Sequence, residues 1–265
     1  MQVESIQAKG LAYLNTANPS SSLPPIILVH GAYHDGTVWE DNFMKYFYVK
    51  GHDVNAIHLK DPERVHKIST LFAYRLKDYV DKLDKLVSKM DRPPILIGHS
   101  MGGLVIQRFV SETSHQIHGL CLLASLPPFG LKHTFGYMLR HPLVMLAYTS
   151  LTLNPSFAQK YPPPVEILSK RVSKDQRKKF GTHIVRESSL ALFDCFFPNI
   201  NTDQVKKIPM VIFGATLDNL ALAKDVKKTG EIYGVEPRIF EGAGHALMME
   251  PEWEDIAEEI HEKLV

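Results

Sequence analysis

Five residues, Gly98-His99-Ser100-Met101-Gly102, constrain this chain more than any other stretch of it. They read G-x-S-x-G, with the apolar run Pro94-Ile95-Leu96-Ile97 before them and Gly103-Leu104-Val105-Ile106 after. That order predicts a strand, a sharp turn and a helix, with the serine hydroxyl raised above the strand ends. The small residues around the serine let the backbone fold tightly at a strained position. A serine hydroxyl alone is a weak nucleophile, so the arrangement calls for a base and a polarising acid elsewhere in the chain.

The rest of the chain alternates in the way such a turn requires. Short strands are expected at 3–8 and 11–15, split by Gly10, and buried strands at 26–29, 54–57, 119–124, 210–213 and 238–240. Helices are expected at 38–48, 71–90, 221–233 and from Pro251 onward. In the second of these, apolar residues at 72, 76, 79, 80, 83, 86, 87 and 90 form one face, and Arg92-Pro93-Pro94 stops the helix. Fully apolar strands alternating with helices imply a mostly parallel sheet covered on both faces. Between 126 and about 204 the strand pattern disappears, and seven prolines fall between Pro127 and Pro164. Helical stretches are expected there at 135–153, 165–172 and 188–197. We read this part as a helical cap, or lid, over residues 127–204, inserted after the sixth strand, with the core formed by 1–126 and 205–265.

Composition matters mainly for what it excludes. With 30 basic and 29 acidic side chains, the formal charge of +1 gives no general attraction to nucleic acid. Cys121 lies in an apolar run and Cys195 beside two phenylalanines, so both are expected as buried thiols rather than a disulfide. Their spacing suggests no metal site. No secretory signal or membrane-spanning run is visible, which makes a cytoplasmic location the expectation. The basic residues at 170–179 are expected as a solvated helix face.

The base is expected on a loop after a late strand. Glu241-Gly242-Ala243-Gly244-His245 follows the 238–240 strand, and its glycines allow the loop to carry the His245 imidazole back over the sheet. The acid is expected one strand earlier, at Asp218 in Gly214-Ala215-Thr216-Leu217-Asp218-Asn219. An Asp before a helix also reads as an N-cap. Asp194 and Asp203 are the weaker rivals, since neither follows a clear core strand.

The order Ser100, Asp218, His245 resembles that of the α/β-hydrolase superfamily, and the resemblance extends over essentially the whole chain. His30-Gly31-Ala32-Tyr33-His34, after the 26–29 strand, resembles the family's H-G-x segment. That resemblance implies an oxyanion hole made by the backbone amides of Ala32 and Met101. Losing one such donor typically costs roughly 3–4 kcal/mol of barrier. Tyr33, His34 and Trp39 are candidates to touch substrate, while His30 and His99 are expected beneath the site in structural roles. The segment is similar in style to small esterases and lyases that include plant methylesterases and hydroxynitrile lyases. Leu59-Lys60-Asp61-Pro62 departs from the D-x-x-G-x-G turn of many relatives.

The resemblance implies cleavage of carboxylic esters through an acyl-enzyme, with no metal or organic cofactor. An apolar cap implies lipophilic short- to medium-chain acyl or monoacylglycerol-like esters. Thioesterase, lactonase and C–C hydrolase chemistry use the same triad, and a ligand receptor without turnover is the alternative of a different class. The partner expected is a small-molecule ester, with the cap also able to serve a homodimer or a peripheral membrane contact.

Overall fold

A computed structural model of the protein describes residues 1–8, 10–18, 20–142, 146, 150 and 166–265. Eight strands form one sheet: β1 (Glu4–Ala8), β2 (Leu11–Thr16), β3 (Ile26–Val29), β4 (Val54–His58), β5 (Ile95–His99), β6 (Gly119–Leu123), β7 (Met210–Ala215) and β8 (Arg238–Phe240). Their spatial order is β1-β2-β4-β3-β5-β6-β7-β8. β1 and β2 pair antiparallel with each other, and β2 antiparallel with β4; every later pairing is parallel. The strand hydropathy explains this split. β1 is exposed except for half-buried Ile6 and lies at the sheet edge, whereas β3, β4, β5, β6 and β7 are buried along their whole length.

Helices cover both faces of the parallel part. α1 (Lys45–Val49) ends a helical run that opens with a 3₁₀ turn at Gly36–Trp39 and a π turn at Glu40–Met44. α2 (Leu76–Val87), α8 (Ala223–Tyr233) and α9 (Trp253–Leu264) each bury one stripe, whereas α3 (Met101–Glu112) is buried on nearly every side from Met101 to Val110. Burying a Leu or Ile side chain is worth about 1.5–3 kcal/mol, so Ile256, Ile260 and Leu264 suffice to hold α9 against the sheet.

Between β6 and β7 the described residues contain α4 (Lys132–Arg140), α5 (Lys174–Thr182), α6 (Ser189–Asp194) and α7 (Thr202–Val205), and no strand. Two helices expected from the sequence differ here. The helix at 165–172 is a series of turns over 166–172, because the Glu166 and Ile167 carbonyls bond to the backbone of 245–246 instead of to their own next turn. The 71–90 helix begins only at Leu76, whose amide is capped from another element by the Asp194 carboxylate at 3.0 Å. The expected helix at 135–153 falls partly outside the described residues. Among the described residues, no helix is long and apolar enough to cross a membrane.

The topology decides where a site can form. The chain passes from β3 outward to β4, then returns to place β5 on the other side of β3. Loops after adjacent strands diverge at such a reversal and leave a crevice at the strands' carboxyl ends. The register brings the loops to one edge: Val29 pairs with Gly98, His99 with Leu123, Leu123 with Phe213, and Ala215 with Phe240. Residues 30–34, 100, 216–221 and 241–246 therefore emerge together.

Candidate active site

Ser100 sits between β5 and α3 with φ 54° and ψ −122°. A non-glycine residue in this region costs on the order of 1–3 kcal/mol. The cost is sustained by packing. A side chain at Gly102 would collide with the carbonyl oxygens of Val29 and His30, so only glycine lets the first turn of α3 press against the end of β3. The Ser100 carbonyl accepts from the amides of Gly103, Leu104 and Leu126, at 3.0, 3.3 and 3.1 Å. Met101 opens α3, and the first amides of a helix have no acceptor within it. This corner is built from β5, the first turn of α3 and the ends of the two flanking strands, β3 and β6.

The candidate base His245 and candidate acid Asp218 are brought together. His245 Nδ1 lies 2.7 Å from Asp218 Oδ2, with the two residues only 4% and 3% exposed. A carboxylate can only accept here, so Nδ1 carries the proton and Nε2 is left as the basic nitrogen. The other Asp218 oxygen accepts from the amides of Leu220 and Ala221 at 2.7 and 2.9 Å. Asp218 thus ties its own loop and faces the imidazole at once, while the N-cap of α8 is Leu222 rather than Asp218. The rivals are engaged elsewhere: Asp194 binds Arg75 and Leu76, and Asp203 is an exposed partner of Lys206.

His99 ties His245 to the serine corner. Its Nε2 donates to the His245 carbonyl at 3.0 Å, and the two rings lie 4.7 Å apart. Burial holds its pKa well below the usual histidine range. His30 is likewise neutral and fully used, donating from Nδ1 to the Gly31 carbonyl at 2.8 Å and accepting at Nε2 from Leu59 at 3.1 Å. Both histidines lie beneath the site.

Gly31 brings the other loop into place. A Cβ added there would lie 2.9 Å from Ser100 Cβ, so the 30–34 loop passes directly against the serine. Ala32 follows, half-buried, and Tyr33 adopts φ 63°. His34 packs against Phe180 with ring centroids 4.5 Å apart, and burial lowers its pKa to about 3. Trp39 is fully buried one layer below, against Phe43 and the edge of His99.

Two buried carboxylates that the sequence does not single out hold these loops from outside. Glu187 is fully buried, and its Oε2 accepts from Lys60 Nζ at 2.5 Å and from the Tyr33 amide at 3.1 Å. Its Oε1 accepts from Tyr79 Oη at 2.5 Å and from the Ser188 amide at 2.8 Å. Glu250, also fully buried, accepts from the Ser169 amide and hydroxyl at 2.6 and 2.5 Å and from the Gly244 amide at 3.0 Å. Neither glutamate belongs to a motif, and a buried acid has no signature in a linear pattern. α4 adds a third tie, with Thr134 donating to the Leu220 carbonyl at 2.8 Å and His133 Nδ1 lying 2.5 Å from Asp225. Among the described residues, no three His, Cys, Asp or Glu side chains cluster as a metal site would need.

Comparison with known proteins places the family and the fold. Residues 26–259 match a family described as "Alpha/beta hydrolase family". A stretch of 106 residues is 29% identical to salicylic acid-binding protein 2 of Nicotiana tabacum, covering 38% of this chain and 39% of that protein's length. Among solved structures, the fold is similar to the putative non-heme bromoperoxidase BpoC of Mycobacterium tuberculosis H37Rv, with TM-score 0.72 and 14% identity over 97% of this chain and 96% of that one. It is also similar to a carboxylesterase structure from the thaumarchaeon Nitrososphaera gargenis, with TM-score 0.71 and 16% identity over 98% and 95% of the two chains. A monoacylglycerol lipase of Paleococcus ferrophilus gives TM-score 0.64 and 18% identity over 96% and 98%.

Proposed function

The chain belongs to the alpha/beta hydrolase family, and within it we propose a serine hydrolase that cleaves carboxylic esters through an acyl-enzyme. The observation that carries the proposal is the buried 2.7 Å bond between Asp218 and His245, whose ring lies 4.7 Å from that of His99, the residue before a serine held at φ 54°. In this mechanism His245 Nε2 takes the Ser100 hydroxyl proton as Oγ attacks the ester carbonyl carbon. The carbonyl oxygen becomes the oxyanion and accepts from the amides of Ala32 and Met101, which need no reorganisation to receive it. The tetrahedral adduct collapses, the C–O bond to the alcohol breaks, and the imidazolium returns its proton to the leaving oxygen. Water, deprotonated by the same imidazole, then releases the acid and restores Ser100. Asp218 stays ionised and fixes the tautomer throughout.

The residues at 127–204 act in this reading as a cap over a core of 1–126 and 205–265. Leu168, Val172, Phe180 and Ile184 are buried within the main hydrophobic cluster, which supports an apolar roof and a lipophilic ester as substrate. Tyr33 and His34 border that roof. A second reading, ligand binding without turnover, draws on the name of the tobacco relative.

Hydrolysis of p-nitrophenyl esters from acetate to palmitate, with wild type and Ser100→Ala, tests both. Multiple turnover that peaks at short to medium chains and vanishes in Ser100→Ala supports the esterase. A folded wild type that is inert across the series overturns that reading and favours binding.

A further inference from the structure

Tyr33 is bound on both sides by one short segment of the insertion. Its amide donates to Glu187 Oε2, and its carbonyl accepts from the Val185 amide at 2.8 Å. The next residue, Arg186, bonds through its amide to the Val65 carbonyl at 3.0 Å, which anchors the segment to the core. Tyr33 needs such a clamp, because φ 63° is unfavourable for a bulky L-residue. The clamp acts one peptide away from Ala32 and two residues away from Gly31, which lies against Ser100.

We propose that Glu187, locked in place by Lys60, is a positioning residue: by holding the Ala32–Tyr33 peptide it aims the Ala32 amide at the substrate oxyanion. The inference rests on the serine hydrolase reading above. Four acceptances saturate the carboxylate, two on each oxygen, so its position is fixed in every direction. A merely stabilising ion pair would not require one of those four donors to be the backbone of the oxyanion loop. Lys60 stands in the stretch after β4 that departs from the turn of many relatives, and its buried ammonium supplies the counter-charge to Glu187. Glu187 reaches no reacting atom in this scheme and acts only through Tyr33.

The test uses a fluorophosphonate, which needs no knowledge of the natural substrate. Ser100 Oγ forms a bond to phosphorus, the P–F bond breaks, fluoride leaves and the hydroxyl proton passes to His245. The phosphoryl oxygen occupies the oxyanion position during this step. Rates of labelling are compared in wild type, Glu187→Gln and the double variant Lys60→Met with Glu187→Met. The double variant removes both buried charges together, a change that folds tolerate far better than removing one. Leu264→Ala, a core truncation in α9, controls for loss of stability alone. The expected result is labelling slowed about 10- to 100-fold in the two Glu187 variants, with the Leu264 variant within about 2-fold of wild type. A trifluoromethyl ketone, whose bound form places an oxyanion in the same hole, weakens in parallel.

Labelling within about 2-fold of wild type in either Glu187 variant, with far-ultraviolet circular dichroism showing it folded, overturns the proposal. Where the double variant does not fold, Glu187→Gln alone decides. Labelling of wild type that survives in Ser100→Ala, or none in wild type, overturns instead the hydrolase reading beneath it.

Discussion

The serine corner and the loops that meet it are held by different means. Ser100 is fixed by β5 and the first turn of α3, and by the ends of the flanking strands, where Gly102 packs on the Val29 and His30 carbonyls and the Leu123 carbonyl and Leu126 amide bond to Ser100. The 241–246 loop and the 30–34 loop lean on distant chain. His245 and Ala246 take their backbone bonds from Glu166 and Ile167 at 2.8 and 2.9 Å, while Gly244 is held by Glu250. Tyr33 is held by Val185 and Glu187. The serine corner is thus held by the parallel sheet and the helix that follows it, whereas the loops of His245 and Tyr33 also depend on the 166–188 segment. Loosening the 166–188 region should therefore cost catalysis before it costs the strained serine.

The largest effect is expected where the long-range side carries chemistry. Asp218→Asn should lower kcat by about 10⁴-fold, because the amide presents a donor to Nδ1 and favours the wrong tautomer. Steady-state kinetics alongside an unchanged circular dichroism spectrum checks this, and near-normal kcat would remove Asp218 from the triad.

A test of the serine corner comes next in size. Gly102→Ala drives a Cβ into two backbone carbonyls, which cannot turn aside as a side chain would. It should cost about 3 kcal/mol of stability, measured by urea denaturation. A cost below about 1 kcal/mol would mean that α3 can draw away from β3, and that the corner is less tightly held than the packing implies.

Glu250→Gln sharpens the contrast further. It withdraws one acceptor from a buried set that includes Ser169 and Gly244, a loss of about 2 kcal/mol. Amide exchange at 244–246 should quicken while exchange at 103–106 keeps pace only with global unfolding. Equal acceleration in both places would erase the distinction between the two regions.

The smallest effect concerns acid. Burial lowers the His34 pKa to about 3, whereas the unfolded chain protonates near 6.5. The unfolded state therefore binds the extra proton first, and stability falls as pH drops below about 6.5. For His34 the loss is about 1 kcal/mol between pH 7 and 5.5. His34→Phe, which keeps a ring against Phe180, should show that much less acid sensitivity in chemical denaturation. Identical pH dependence in the two proteins would mean that His34 becomes protonated in the folded state.

The amino-acid sequence by itself determined the sheet and the serine corner. Apolar runs such as Ile26–Val29 are buried on both faces, and the Gly98–Gly102 pattern admits little besides a strand, a tight turn and a helix. It also marked His245 and Asp218 as candidates, since each follows a core strand and parallel strands deliver their loops to one edge. Only the tertiary structure decided what holds those loops. Glu187 meets Lys60 across 127 residues, Glu250 meets Ser169 across 81, and Asp194 sets the start of α2 across 118. A strand or helix repeats its pattern every two or three to four residues, so a short window contains it. A buried carboxylate finds its donors only after the chain has folded, and neighbouring residues carry no trace of which they will be.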